Sequence, residues 1–429
     1  MRICSPHCGI DPESVSGGET YERELLTRLS VEGAVVDILL ARHLRHPNDV
    51  PNWVIHRLPI GRGLRWPVAM ALLPPVIRRV HAETRFELLR VHSLRFIGPA
   101  AVIARRRYGL PVPIVSHHHH LDRSPLNRII ERRVIAASQR VITVSRFSRR
   151  QLVDELGADA DRIEVVENGI DARFAPCDAE GGGARAAADG SAAVRARHGI
   201  GNAPLVLSLG GLKPRKNLPL LLAAWREVAS ARPDARLLIA GTGPMEGRLR
   251  RLARSLGLDH GVVFAGRVAE ADKVAYYRAA DVFVSPSSLE GFGFTVGEAM
   301  SCGLPVVVSD AGALPELVVA EHGGFLCRPD RAQDFAARLL LLLADADLRR
   351  QFGAFNRDRI ARHFRWERAA RRVMEIYADV LREWTAVRAA GRPGAGAPAS
   401  EASNPEERAA GRPGAGAPAS EASDPGSKI

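Results

Sequence analysis

Two glutamates eight residues apart, Glu290 and Glu298, bracket the run Gly291-Phe292-Gly293-Phe294-Thr295. A β-branched stretch at 282–285 ends in Ser-Pro just before it, and a helix is expected to begin near residue 295 and run to 302. Gly291 and Gly293 let backbone N–H groups face outward at that helix start, where unpaired donors and the helix dipole favour an anion. The chemistry is that of a phosphate seat with two carboxylates in reach of its ligand. Upstream, Gly210-Gly211-Leu212-Lys213-Pro214-Arg215-Lys216-Asn217 holds two of the four lysines in the chain. Cations at such a turn can neutralise a departing phosphate. Near the amino end, Ser16-Gly17-Gly18-Glu19 follows a first strand and precedes a helix, so its N–H groups could close over the same anion. His92 ends a short apolar strand. His117, His118, His119 and His120 follow another, and four adjacent histidines on an extended chain point different ways, so they cannot all bind one metal.

These residues need a scaffold that brings loop ends together. Strands are expected at 2–5, 35–40, 53–58, 88–92, 112–116, 141–145 and 163–167, then at 205–209, 236–240, 262–265, 282–285, 306–309 and 324–327. Helical patterns such as 20–30, 218–229, 247–256 and 316–319 lie between them. Strands separated by helices give parallel sheets with right-handed crossovers. Two such halves predict an α/β chain of two doubly wound, Rossmann-like domains facing across a cleft, with ligands at the carboxyl ends of the strands.

Composition sets the outer limits. The 429 residues are 46% hydrophobic and 25% charged, as in a water-soluble globular protein, and no apolar run approaches the ~18 residues of a membrane span. The first ten residues read as a strand and not as a signal peptide, which makes a cytoplasmic location the default. Five scattered cysteines without a Cys-x-x-Cys pair point to reduced thiols, not to zinc or redox chemistry. Net charge is +12, and residues 57–107 hold eleven arginines against two glutamates, a local excess of +9. That stretch is either a surface for anionic lipid at the inner face of the membrane or a solvated helix face. Nucleic acid is not an expected partner, because aromatics are only 5% and do not interleave with the arginines. A 16-residue block at 388–403 recurs at 408–423, rich in Ala, Gly, Pro and Ser, so residues 389–429 are expected to be a disordered tail.

The segment EGFGFTVGEAMSCGLPVVVSDAGALPELV closely resembles the second domain of the family 4 (group 1) retaining glycosyltransferases, whose fold is the two-lobed GT-B. SGGETYERELLTRLSVEG, VSHHHHLD, VITVSRFS, VENGID, LSLGGLKPRKNL, LIAGTGP and FAGRV match in order and spacing, so the likeness spans nearly the whole chain before the tail. It implies an N-terminal domain over 1–176, a linker over 177–203, a nucleotide-sugar-binding domain over 204–365, and a helix over 366–388 that crosses back to the first domain.

The resemblance also implies the chemistry: a sugar moves from a UDP- or GDP-sugar to a hydroxyl, with retention of configuration and no required metal or other cofactor. It places Glu290 beside the donor sugar, Glu298 on the ribose, residues 291–295 with Gly17 and Gly18 around the phosphates, and Val268 near the base. Lys216 matches a family lysine. Gly211 stands where arginine is common, and Arg215 takes over that charge. His92 aligns with a histidine near donor and acceptor. The family's Thr-x-His position falls on His118 or one residue away, with Asp122 orienting or replacing it. Front-face substitution is the expected route, because no carboxylate in these motifs is placed as a nucleophile. The acceptor is a lipid-linked or cell-envelope glycan precursor, a soluble sugar or another small metabolite. A nucleotide-sugar epimerase or hydrolase on the same fold, or a non-catalytic nucleotide-sugar-binding protein, is the alternative.

Overall fold

Each half of the chain folds into a sheet in which every neighbouring pair of strands is parallel. The computed structural model describes residues 1–7, 9–14, 16–59, 67–92, 94, 97–119, 125–175 and 182–391. Met1–Gly396 make up one unit and Ala397–Ile429 a second, which lies outside the described residues. The first sheet contains β1 (Arg2–Pro6), β2 (Val35–Ala41), β3 (Trp53–Leu58), β4 (Leu88–Val91), β5 (Ile114–His118), β6 (Arg140–Thr143) and β7 (Ile163–Val165). Its order is β3-β2-β1-β4-β5-β6-β7. The second contains β8 (Leu205–Leu209), β9 (Arg236–Ala240), β10 (Val262–Gly266), β11 (Val282–Ser285), β12 (Val306–Ser309) and β13 (Gly324–Cys327), in the order β10-β9-β8-β11-β12-β13.

Helices cover both faces, which is why β4, β8 and β12 are buried at every position. Strand order reverses direction between β1 and β4 in one sheet and between β8 and β11 in the other. Those are the switch points at which doubly wound sheets open a crevice. The chain leaves β1 at His7, β4 at His92, β8 at Gly210 and β11 on the way to Glu290. The α/β, GT-B architecture expected from the sequence is the one observed.

Several local expectations shift. β5 starts two residues late, because Pro113 has no N–H to give the ladder, and so it runs on into His117 and His118. β6 stops at Thr143, since Ser145 caps the helix Arg146–Leu156 by accepting from the Ser148 N–H. The short helix expected at 316–319 is Leu314–Leu317, with Pro315 in its first turn. The stretch expected as a linker carries the helix Gly182–Arg197, consistent with its alanine content. That helix docks on the second half: Val194 is buried, and the Arg195 guanidinium donates to the carbonyls of Ala279, Gly201 and Ala203 and to Asp281.

The last helix, Trp366–Ala389, is 24 residues long, roughly 36 Å at 1.5 Å per residue. It packs on the helix Gly17–Val31, and its Tyr377 hydroxyl lies 2.7 Å from His117 Nε2. Trp384 Nε1 donates to the Pro111 carbonyl. The chain therefore passes between the halves twice, at Ile170 and at Phe364, and these crossings are tied by the Ile170 N–H donating to the Phe364 carbonyl. Of the expected tail, residues 392–429 lie outside the described residues.

Candidate active site

Glu290 is built into the second half by glycine. Gly293 sits at φ 102° and begins the helix Phe294–Ser301, where a Cβ would be 2.8 Å from Leu314. A Cβ on Gly312 would be 2.4 Å from the Glu290 carbonyl. The turn is thus packed too closely for side chains, and it holds the Glu290 carboxylate against the Pro214–Lys216 turn. Lys216 Nζ donates to Oε1 at 2.6 Å and Arg215 Nη1 to Oε2 at 3.0 Å. Burial alone would raise the carboxyl pKa, but the adjacent lysine and arginine outweigh it and hold the group below the ordinary carboxylate range. Glu290 is therefore an ionised hydrogen-bond acceptor. The two cations expected at a phosphate are gathered on this carboxylate, a few ångströms from the glycine turn.

Glu298 is buried in the helix that follows. It accepts from the Tyr277 hydroxyl at 2.6 Å and from Lys273 Nζ at 3.4 Å. A carboxylate offers about four acceptor positions, so these bonds leave room for ribose hydroxyls. Val268 is buried just beyond Gly266, which adopts φ 72°.

The opposite wall comes from the first half. Gly17 opens the helix Gly17–Val31, and a Cβ on it would be 3.4 Å from the Phe294 ring, while Gly18 has open space around it. Two helix starts, one from each half, therefore meet at the Phe294 ring. Each carries the positive end of a helix dipole. A Cβ on Gly291 would be 2.3 Å from the His119 carbonyl, so the histidine run also reaches this turn.

His117 is enclosed between the hydroxyls of Tyr21 and Tyr377. His118 is 3% exposed, so the residue expected on the acceptor side is buried, and its carbonyl accepts from the Thr143 hydroxyl. His119 is the partly exposed member: its ring lies edge-on to Tyr21 and its Nε2 donates to Glu22 at 3.3 Å. His120 and Asp122 lie outside the described residues.

His92 stacks on His7 with ring centroids 4.4 Å apart, and its Nδ1 is 3.8 Å from Glu22. Burial, reinforced by the nearby Arg90, pushes its pKa down to about 4, so the ring is neutral near pH 7. Glu22 is the hub of this cluster. Its carboxylate accepts from Arg90 Nη1 at 2.5 Å and Nη2 at 3.1 Å, with both residues buried. Burial opposes ionisation, but Arg90 keeps the acid well below its ordinary range. His7, Glu22 and His92 place three potential metal ligands within 4.8 Å of one another. The imidazoles are only 18° from parallel, so their lone pairs run alongside instead of converging, and Arg90 already occupies the carboxylate. The arrangement suits a hydrogen-bonded charge cluster better than a metal centre.

Glu22, Arg90 and His7 were not singled out from the sequence, and His119 was covered only as the position one residue from His118. A signal was there: Glu22 occupies the apolar stripe shared with Leu25, Leu26 and Leu29, and Arg90 interrupts the strand Leu88–Val91. Opposite charges at two core positions imply each other.

Residues 15–174 match the family described as "Glycosyltransferase Family 4" and residues 191–359 the family "Glycosyl transferases group 1". D-inositol 3-phosphate glycosyltransferase of Kineococcus radiotolerans is 32% identical over 343 residues, 72% of this chain and 75% of the relative. GDP-mannose-dependent alpha-(1-6)-phosphatidylinositol monomannoside mannosyltransferase of Mycolicibacterium smegmatis is 29% identical, over 73% of this chain and 83% of that protein. Among solved structures, sucrose-phosphate synthase from Thermosynechococcus elongatus superposes with a TM-score of 0.74 at 24% identity, covering 89% of this chain and 99% of the other. The Anabaena protein HepE in complex with UDP gives 0.70 at 20%, covering 88% and 100%.

Proposed function

Because the chain belongs to the family 4, group 1 glycosyltransferases, we propose that it transfers a sugar from a UDP- or GDP-sugar to an inositol-phosphate acceptor, free or lipid-linked, with retention of configuration. The observation that carries this reading is the pair of adjoining helix starts, Gly17–Val31 and Phe294–Ser301, with Lys216 and Arg215 beside them. Two positive dipole ends and two cations around one gap suit a diphosphate.

In the reaction, the bond between the anomeric carbon and the phosphate oxygen breaks, and its electron pair leaves on the diphosphate. Lys216, Arg215 and the N–H groups of residues 291–295, with those of Gly17 and Gly18, stabilise that growing charge. The acceptor hydroxyl attacks from the same face, and its proton passes to the departing phosphate oxygen. Glu290, kept ionised by Lys216, accepts hydrogen bonds from donor-sugar hydroxyls, and Glu298 does so from the ribose. His119, fixed by Glu22 as the tautomer with Nε2 protonated, presents its Nδ1 to a substrate hydroxyl, and His92 lines the same wall as a neutral ring.

No described helix is long and apolar enough to cross a membrane. A lipid-linked acceptor would be met at the surface. Leu126 and Ile129 are 66% and 51% exposed one turn apart on the helix Pro125–Ala137, beside exposed Arg132 and Arg133. The adjacent helix Ile97–Tyr108 also exposes an apolar side chain, Ile103.

Thermal shift with UDP, GDP and ADP identifies the base, since a ligand at 100 times its Kd adds about 2.7 kcal/mol. Incubation of the matching nucleotide-sugars with inositol 1- and 3-phosphate and with phosphatidylinositol vesicles, read by NMR of the product's anomeric centre, tests transfer. An inverted product, or no product from any inositol phosphate, would refute the reading.

A further inference from the structure

Away from the donor cleft, a groove of about 600 Å³ lies where the first half meets the start of the Trp366–Ala389 helix. Arg146 lines it from one side, and Arg365, Arg368, Arg371 and Arg372 line it from the other. Against these five cations stand only Glu167 and Glu375. The pairing is incomplete. Arg372 is held by Glu164 and Glu375, and Arg146 lies 3.4 Å from Glu316. Among the described residues, Arg365, Arg368 and Arg371 have no carboxylate within salt-bridge distance.

The position of these arginines is costly. Cations in the first turn of a helix oppose its dipole, and here Arg365 and Arg368 flank a single acid, Glu367. Toward the far end of the same helix the charges are paired, Arg382 with Asp379 and Glu383 with Arg140. Arg365 and Arg371 each donate from Nε to a backbone carbonyl, of Ala361 and Glu367, but with Arg368 they have no carboxylate among the described residues to neutralise them, a local departure of the kind found at functional sites. The backbone is not the recognition element, because Gly169 packs against the Trp366 nitrogen and the Ala369 N–H donates to the Arg365 carbonyl. Recognition falls to the guanidinium forks, which match phosphate oxygens in pairs.

We propose that this groove is a second anion site, separate from the donor cleft, that binds a ligand carrying two or more phosphate groups. The ligand is either a free phosphorylated metabolite or the headgroup of a phosphorylated lipid. The proposal does not depend on the identity of donor or acceptor.

The test uses the full chain carrying Lys216→Ala, which weakens competing phosphate binding in the donor cleft. Pyrophosphate and inositol hexakisphosphate are titrated by calorimetry, and vesicles of phosphatidylcholine with and without phosphatidylinositol 4-phosphate are cosedimented. Each is repeated with Arg368→Glu and Arg371→Glu added. Soluble-anion binding that weakens about tenfold or more in the charge-reversed chain assigns the free ligand. Vesicle binding that needs the phosphorylated lipid and is lost in the same variant assigns the headgroup. Without ligand the reversed chain should melt higher, because acids replace cations beside the helix start. Arginines kept for structure would give the opposite shift. Absence of binding, binding unchanged by the reversal, or a lower melting temperature in the reversed chain would overturn the proposal.

Discussion

Glu290 and Glu22 are buried carboxylates on opposite walls of the cleft, and both are held ionised by cations, yet they are built for different work. Lys216 and Arg215 reach Glu290 from a turn, with side chains 15% and 45% exposed, so they can exchange a carboxylate for a phosphate. Arg90 reaches Glu22 from the middle of β4 with no exposure, so that pair cannot exchange partners. One cluster is chemistry waiting for a ligand. The other is a fixed base on which His7, His92 and His119 are arranged.

The sharpest way to break this contrast is Glu22→Ala, which strands Arg90 in the core. Loss of one member of a buried pair costs about 3–5 kcal/mol, so denaturant melts should show severe destabilisation. Glu290→Ala should cost far less, because its cations can turn to water. Replacing both Glu22 and Arg90 with leucine should recover most of the loss. Equal destabilisation by the two single variants would erase the distinction.

For turnover the ranking inverts between stability and rate. Lys216→Ala and Glu290→Ala should each lower sugar transfer at least about a hundredfold, some 2.7 kcal/mol of barrier, with unchanged circular dichroism. Near-normal turnover in either would remove its assigned role.

Gly291→Ala tests how closely the walls must meet. The new methyl would strike the His119 carbonyl, a backbone atom that cannot give cheaply, so transfer should fall at least about tenfold, 1.4 kcal/mol, and the melting temperature should fall with it. Full activity would mean that the closed arrangement is not the working one.

The most gradual effect is in pH. His92 takes up a proton near pH 6.5 when unfolded but only at about 4 when folded. Between those values the unfolded state binds more protons, so stability falls as pH drops through that window, by up to about 1.4 kcal/mol per unit. His92→Gln should flatten this slope. An unchanged slope would show that His92 is not the titrating group.

Local pattern was enough to read the strands of the second half, where 205–209, 236–240, 282–285, 306–309 and 324–327 coincide with the observed elements. Continuous β-branched runs bounded by Gly, Pro and Ser leave little freedom there. The first half was harder at β5, where a proline displaced the ladder and carried two histidines inside. Among the four histidines the pattern could not choose, because alternation says only that neighbours point apart. The helix at Gly182–Arg197 was read as a spacer, since alanine and glycine show no apolar stripe even where a docked helix forms.

The sequence alone determined the alternation of strand and helix and the glycine turn between Glu290 and Glu298 after β11, from which the proposal of an anion seat there starts. Tertiary structure decided the partners. Lys216 meets Glu290 across 74 residues, Arg90 meets Glu22 across 68, and Tyr377 meets His117 across 260. Such meetings follow from strand order and from the return of the last helix, and spacing along a chain carries information only about neighbours on the same element.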